Sequence, residues 1–177
     1  MKKFKGILII LLLFVVIYCL QINFFTWFNI AGIMPNLFVI LVMFIGLFAG
    51  NKLGVVFGLF FGIILDIVFG RMVGVTGIML AIIGFLGEYF DKNFAKDSRG
   101  MMLSISIIST ILFELAMYII KYIQFRTEIE IKEFLIILLV ECVFNILIIT
   151  IIYPWMKKLG YHLEETFKGR KLLTRYF

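Results

Sequence analysis

Four acidic residues, Asp66, Glu88, Glu114 and Glu141, stand inside otherwise apolar stretches of this 177-residue chain. A carboxylate among leucines, glycines and phenylalanines is expensive to place in hydrocarbon. Each must therefore face protein, a partner or a water-filled space, where it can accept hydrogen bonds, hold a proton or bind a ligand. Ser106, Thr110, Glu114, Tyr118 and Tyr122 recur every fourth residue, a polar stripe on one helix face, and Asn145 shares a face with Glu141 in the same way. Asn36 and Arg71 stand at the ends of apolar runs, and Arg71 is the base nearest Asp66 in the chain. No catalytic spacing accompanies these groups. His162 is the lone histidine, no serine has a base in a recognisable motif, and no phosphate loop is present. Cys19 and Cys142 lie in apolar runs and give neither a disulfide framework nor a metal spacing, so the residues ask for no cofactor and no metal.

The elements that position these groups carry small residues at helix-contact spacing. Gly46, Gly50, Gly54, Gly58 and Gly62 follow every fourth residue, and the next step lands on Asp66. Gly70, Gly74, Gly77, Ala81, Gly84 and Glu88 mark a second seam whose spacings alternate between four and three. Gly54, Gly58, Gly62, Gly74, Gly77 and Gly84 are expected to let helix backbones approach closely. The two spacings drift differently around a helix, so the groove and the seam are expected to face different neighbours.

The chain is 63% hydrophobic and 16% charged, which places it outside soluble composition and makes it an integral membrane protein. Six apolar segments approach the roughly 20 residues a spanning helix needs. They run over residues 6–25, 35–50, 53–69, 72–90, 101–120 and 134–153, which predicts an all-α six-helix bundle over residues 1–155 and a basic tail over 156–177. The basic N-terminus followed by Ile7 to Ile17 resembles a secretory signal, but no small-x-small cleavage site follows, so an uncleaved first span is expected. Pro35 is expected to open the second helix, Thr127 and Glu130 to form a capping box before the sixth, and Pro154 to close it.

With the N-terminus inside, thirteen of the lysines and arginines fall on the cytoplasmic side and only Arg71, Lys121, Arg126 and Lys132 outside. Both termini are therefore expected in the cytoplasm, and the net charge of +6 is explained by membrane orientation rather than nucleic acid. Rise per residue then puts Asp66, Glu114 and Glu141 about one to two turns below the outer surface. Together with Asn36, Arg71 and Asn145 they form an expected outer polar layer for a partner or a pocket, while Glu88 lies near the cytoplasmic end.

The run Met34-Pro35-Asn36-Leu37, the stretch Gly58 to Asp66 read as G-x-x-x-G-x-x-x-D, and Gly70 with Gly74-Val75 resemble the rod shape-determining MreD family. Pro35, Asn36 and Asp66 are the motif positions, and Leu112-Phe113-Glu114, Asn145 and Pro154 add to the likeness. The resemblance implies a non-enzymatic, multi-pass subunit of the cell-elongation and peptidoglycan-synthesis machinery in the bacterial cytoplasmic (inner) membrane. Its implied partners are an MreC-like single-span protein and, indirectly, the MreB filament, RodA and a penicillin-binding transpeptidase. The family is also similar in fold to the S components of energy-coupling-factor transporters, which gives the competing expectation of a vitamin-binding subunit. S components dock through an Ala-x-x-x-Ala motif, which the alanines here, Ala31, Ala49, Ala81, Ala95 and Ala116, do not form. A proton-coupled carrier is the third possibility, although no inverted repeat is visible.

Overall fold

The computed structural model describes residues 2–69, 72–93, 98–125 and 130–169. Among these, regular structure is helical apart from one bridge between Ile30 and Ile33. Helix α1, Lys2–Cys19, passes through a π-helical turn at Leu20–Phe24 into a last turn, Phe25–Trp27. It is followed by α2 (Leu37–Ala49), α3 (Asn51–Val68), α4 (Val75–Asn93), α5 (Arg99–Phe125) and α6 (Ile131–Phe167). Among the described residues three helical stretches are long and apolar enough to cross a membrane, Lys2–Trp27, Arg99–Gln124 and Ile131–Phe167. Helix α2 is apolar but shorter.

Helix α2 is the hub. All 13 of its residues are buried, and it touches each of the other five helices. A helix that is apolar on every side has no polar face to turn outward, so it sits where protein surrounds it. At 1.5 Å per residue it is about 20 Å long, less than the hydrocarbon thickness of about 30 Å. Its neighbours supply the remaining length. The expected start at Pro35 is corrected by two residues, because Asn36 is the N-cap and its side chain accepts from the Val39 N–H.

Glycines bring α2, α3 and α4 into backbone contact. A Cβ on Gly46 would fall 2.0 Å from the Gly84 carbonyl oxygen, and one on Gly54 would fall 2.7 Å from the Gly46 Cα. Gly58 meets the backbone of Leu80 and Ala81, and Gly62 meets that of Thr76 and Gly77. The third-helix groove and the fourth-helix seam therefore face each other, contrary to the expectation of different neighbours. The turn between α3 and α4 is short, so the two helices run antiparallel side by side and their small residues pair off in reverse order. Gly74 is a second correction. No atom lies within 4 Å of a Cβ built there, and its φ of +100° makes it a turn glycine rather than a packing one.

The last helix does not stop at Pro154. It continues to Phe167, so the segment expected as a loose basic tail is helical as far as it is described. Pro154 cannot donate to the Thr150 carbonyl, but that is one missing bond in a helix of 37 residues. Packing beside and beyond the proline offsets it. Tyr153 is buried with the Arg99 guanidinium 5.0 Å from its ring centre, Leu163 is fully buried, Gly160 leaves room for the Phe48 ring, and Gly6 leaves room for that of Phe167. Lys168 then donates to the Leu47 carbonyl at 3.0 Å and to Asp91 Oδ2 at 2.8 Å. Helix α5 likewise overruns its expected end, through Lys121 to Phe125. Glu130 is the N-cap of α6 and makes no side-chain cap bond, while Thr127 of the expected capping box lies outside the described residues.

Gly62→Ala should lower stability by about 1–3 kcal/mol, because the added methyl meets backbone that has no side chain to move aside. Gly100→Ala, at an exposed position whose nearest neighbour is Ser98 Oγ at 3.6 Å, should be neutral or gain about 0.5–1 kcal/mol of helix propensity. Thermal unfolding in detergent measures both, and equal effects would contradict the packing account. Lys168→Met removes an ammonium from the buried Asp91, a change that costs up to roughly 3–5 kcal/mol when a fully buried pair is broken. The same unfolding assay should show a loss toward that size.

Candidate functional site

The N-terminal end of α2 is where the polar residues gather. A helix start leaves N–H groups without intrahelical partners, and inside a bundle other side chains must supply acceptors. The Asn36 N–H donates to Asn145 Oδ1 of α6 at 3.0 Å, and Asn145 Nδ2 donates to Thr110 Oγ1 of α5 at 2.8 Å. From the π-helical turn, Gln21 accepts the Leu37 N–H at 3.3 Å and donates to the Pro35 carbonyl at 2.8 Å. Three elements are thus tied to one helix end. A π-turn adds a residue to the helical repeat, a feature often found at functional sites, and here it carries Gln21.

A cavity of about 460 Å³ opens beside this end. Asn36, Glu114 and Glu141 line it together with Gln21, Thr76 and Phe113. The Glu141 carboxyl lies against Glu114 and the Asn36 side chain. Of the expected polar layer, Asn36, Glu114, Glu141 and Asn145 are therefore brought together.

Asp66 is set apart. Its side chain is fully buried, and Oδ2 accepts the N–H groups of Gly74 at 2.8 Å and Thr76 at 3.1 Å. It caps the start of α4 from the neighbouring helix, where the dipole and the free N–H groups favour a carboxylate. Its neighbours Leu65 and Thr76 line the cavity, but Asp66 stands behind them. Arg71, the expected partner for Asp66, lies outside the described residues. Glu88 is at the opposite end of the bundle, near Gly50, Asp91 and Lys168.

Two features escaped sequence reading. Gln21 was legible only as a polar residue late in the first apolar run. Asp91, just past the expected fourth segment of residues 72–90, continues the seam of Gly77, Ala81, Gly84 and Glu88 by one more step of three, which is the signal that places it inward. Among the described residues no group of His, Cys, Asp or Glu is arranged to hold a metal ion.

Asp66→Ala should cost about 1–2 kcal/mol by leaving two N–H groups without an acceptor. Asp66→Asn keeps one acceptor oxygen and should lose less. Thermal unfolding of the two variants gives the order, and a larger loss for Asn than for Ala would contradict the capping role.

No curated protein and no solved structure matches the chain. A family model described as rod shape-determining protein MreD matches residues 1–162, nearly the whole of it. With its membrane-length helices and the Gly58–Gly62–Asp66 ladder now explained as helix packing and capping, the chain belongs to the MreD family of rod shape-determining membrane proteins.

Proposed function

We propose that the chain is a non-enzymatic scaffold of the bacterial cell-elongation complex, spanning the cytoplasmic membrane six times with both termini inside and holding an MreC-like single-span partner. Family membership supports the cell-shape role, and the lysine and arginine distribution supports the orientation. One observation carries the mechanism: a polar cavity built on the capped end of a wholly buried helix. Groups anchored to a rigid hub hold their geometry, as a docking site requires. Through the partner the scaffold would act on RodA, a penicillin-binding transpeptidase and the MreB filament.

The cavity is also of small-molecule size, which keeps a vitamin-binding subunit as the second reading. A ligand released from the purified protein on denaturation would favour it.

Ile22 lies at the cavity lip, exposed, with no side-chain hydrogen bond to lose. Ile22→Trp should block the mouth, reduce capture of a co-expressed MreC-like partner by about tenfold, equivalent to about 1.4 kcal/mol of binding, and turn rod-shaped cells round. Leu12→Trp, on an exposed apolar face away from the cavity, should change neither. Undiminished capture with Ile22→Trp and with Gly62→Leu together would reject the scaffold mechanism.

A further inference from the structure

A second cavity, of about 370 Å³, adjoins the first. Tyr118, Lys121, Glu130 and Glu133 line it, and it shares Glu114 and Ile137 with its neighbour. The two lie side by side at Glu114 and Ile137 on the seam of α5 and α6, and we treat them together as a cleft from the exposed start of α6 inward to Glu141. Its acids come in two touching pairs, Glu130 with Glu133 at the mouth and Glu114 with Glu141 within. Among the described residues that line either cavity, Lys121 is the one base. Carboxyls in contact repel when both are ionised, so the pairs favour a cation or a shared proton.

A second observation points to an occupant. Glu141 is 5% exposed, lines the cleft, and its Oε1 has no hydrogen-bond partner; the buried Tyr118 hydroxyl also has none. A buried carboxylate oxygen without a donor is costly, and a donor entering the cleft would remove the cost. The acids are strung out in pairs, which suits an elongated cation. Glu141 lies eight residues beyond Glu133, about 12 Å along the helix and deeper than a lipid headgroup sits.

We propose that this cleft takes a lysine or arginine side chain of a partner polypeptide, its charged head at Glu114 and Glu141, its aliphatic stem along Ile137, and its backbone toward Phe134. The long stem of a basic side chain is matched to a passage with apolar walls and an acidic floor. The inference rests on the scaffold reading and deepens it, because it names the chemical feature that the partner must carry.

The test uses the full chain in phosphatidylcholine nanodiscs, with an end-capped tri-lysine peptide as probe and its side-chain-acetylated form as control. The free peptide should bind, and acetylation or Glu141→Gln should each weaken binding by about tenfold or more, the loss expected for a desolvated charge pair. Glu130→Gln with Glu133→Gln should cost only a few-fold, since both side chains are exposed. The unfolding midpoint without peptide should stay at or above that of the parent in Glu141→Gln. Should that variant not fold, Glu114→Gln carries the same comparison. Equal binding by parent and variant, or by free and acetylated peptide, overturns the proposal. Loss of peptide binding on changing the lipid to phosphatidylethanolamine, in a manner that Glu141→Gln abolishes, overturns it in favour of a lipid amine. Capture of the MreC-like partner is measured in parallel: capture with no peptide binding sinks this inference alone, and absence of capture by the parent sinks the scaffold reading.

Discussion

A 13-residue helix buried on every side must find partners for both its ends within the protein, and most of this structure can be traced to that constraint. At its start, Asn36 caps from within the chain and receives help from Asn145 on α6 and Gln21 on α1. At its finish, Lys168 reaches back from the far end of α6 to the Leu47 carbonyl, a cation where the helix dipole is negative. The two most distant parts of the sequence thus close the two ends of one helix. That is why α6 must be long and must run on past its proline.

The same burial explains the glycines. Lipid tails are as apolar as leucine, so helices in a membrane gain little from hiding hydrophobic area and associate instead through close packing. Gly46, Gly54 and Gly84 let three backbones meet at one point, and Gly58 and Gly62 continue the contact between α3 and α4. Asp66 ends the ladder because the next step along the same face reaches the first turn of α4, where N–H groups rather than a side chain wait. Read this way, the G-x-x-x-G-x-x-x-D run is one device, a packing edge finished by a cap.

Much of this was legible in the chain, and the parts that were not share a physical cause. Spacing alone identified the glycine faces and put Asn145 on the face of Glu141, and depth along the helices grouped Glu114 and Glu141 with Asn36 at its helix end. Spacing cannot say which two faces meet, and crossing arguments misled where the short turn from Phe69 to Gly74 should have decided. Depth also grouped Asp66 with the other acids, although a capping carboxylate is claimed by the nearest free N–H groups and not by others at its level. Pro154 misled because local propensity makes a proline a stop, whereas the residues after it have a buried surface waiting for them. Tertiary packing overrode the local rule there.

The two kinds of buried acid therefore have different standing in the fold. Asp66 receives two N–H donors on Oδ2 and holds the start of a helix, so its presence is repaid in stability even though its Oδ1, like Glu141 Oε1, has no hydrogen-bond partner. Glu141 caps no helix: its carboxyl meets the Asn36 side chain and a second carboxyl, its Oε1 has no donor, and an uncharged polar residue would serve the fold better. Asn145, one turn away on the same helix face, shows that alternative at work, satisfied on both its oxygen and its nitrogen. A sequence that can place a satisfied amide one turn from an unsatisfied carboxyl is not short of ways to fill a buried position. The carboxyl at Glu141 is therefore best explained by something that enters the cavity it lines.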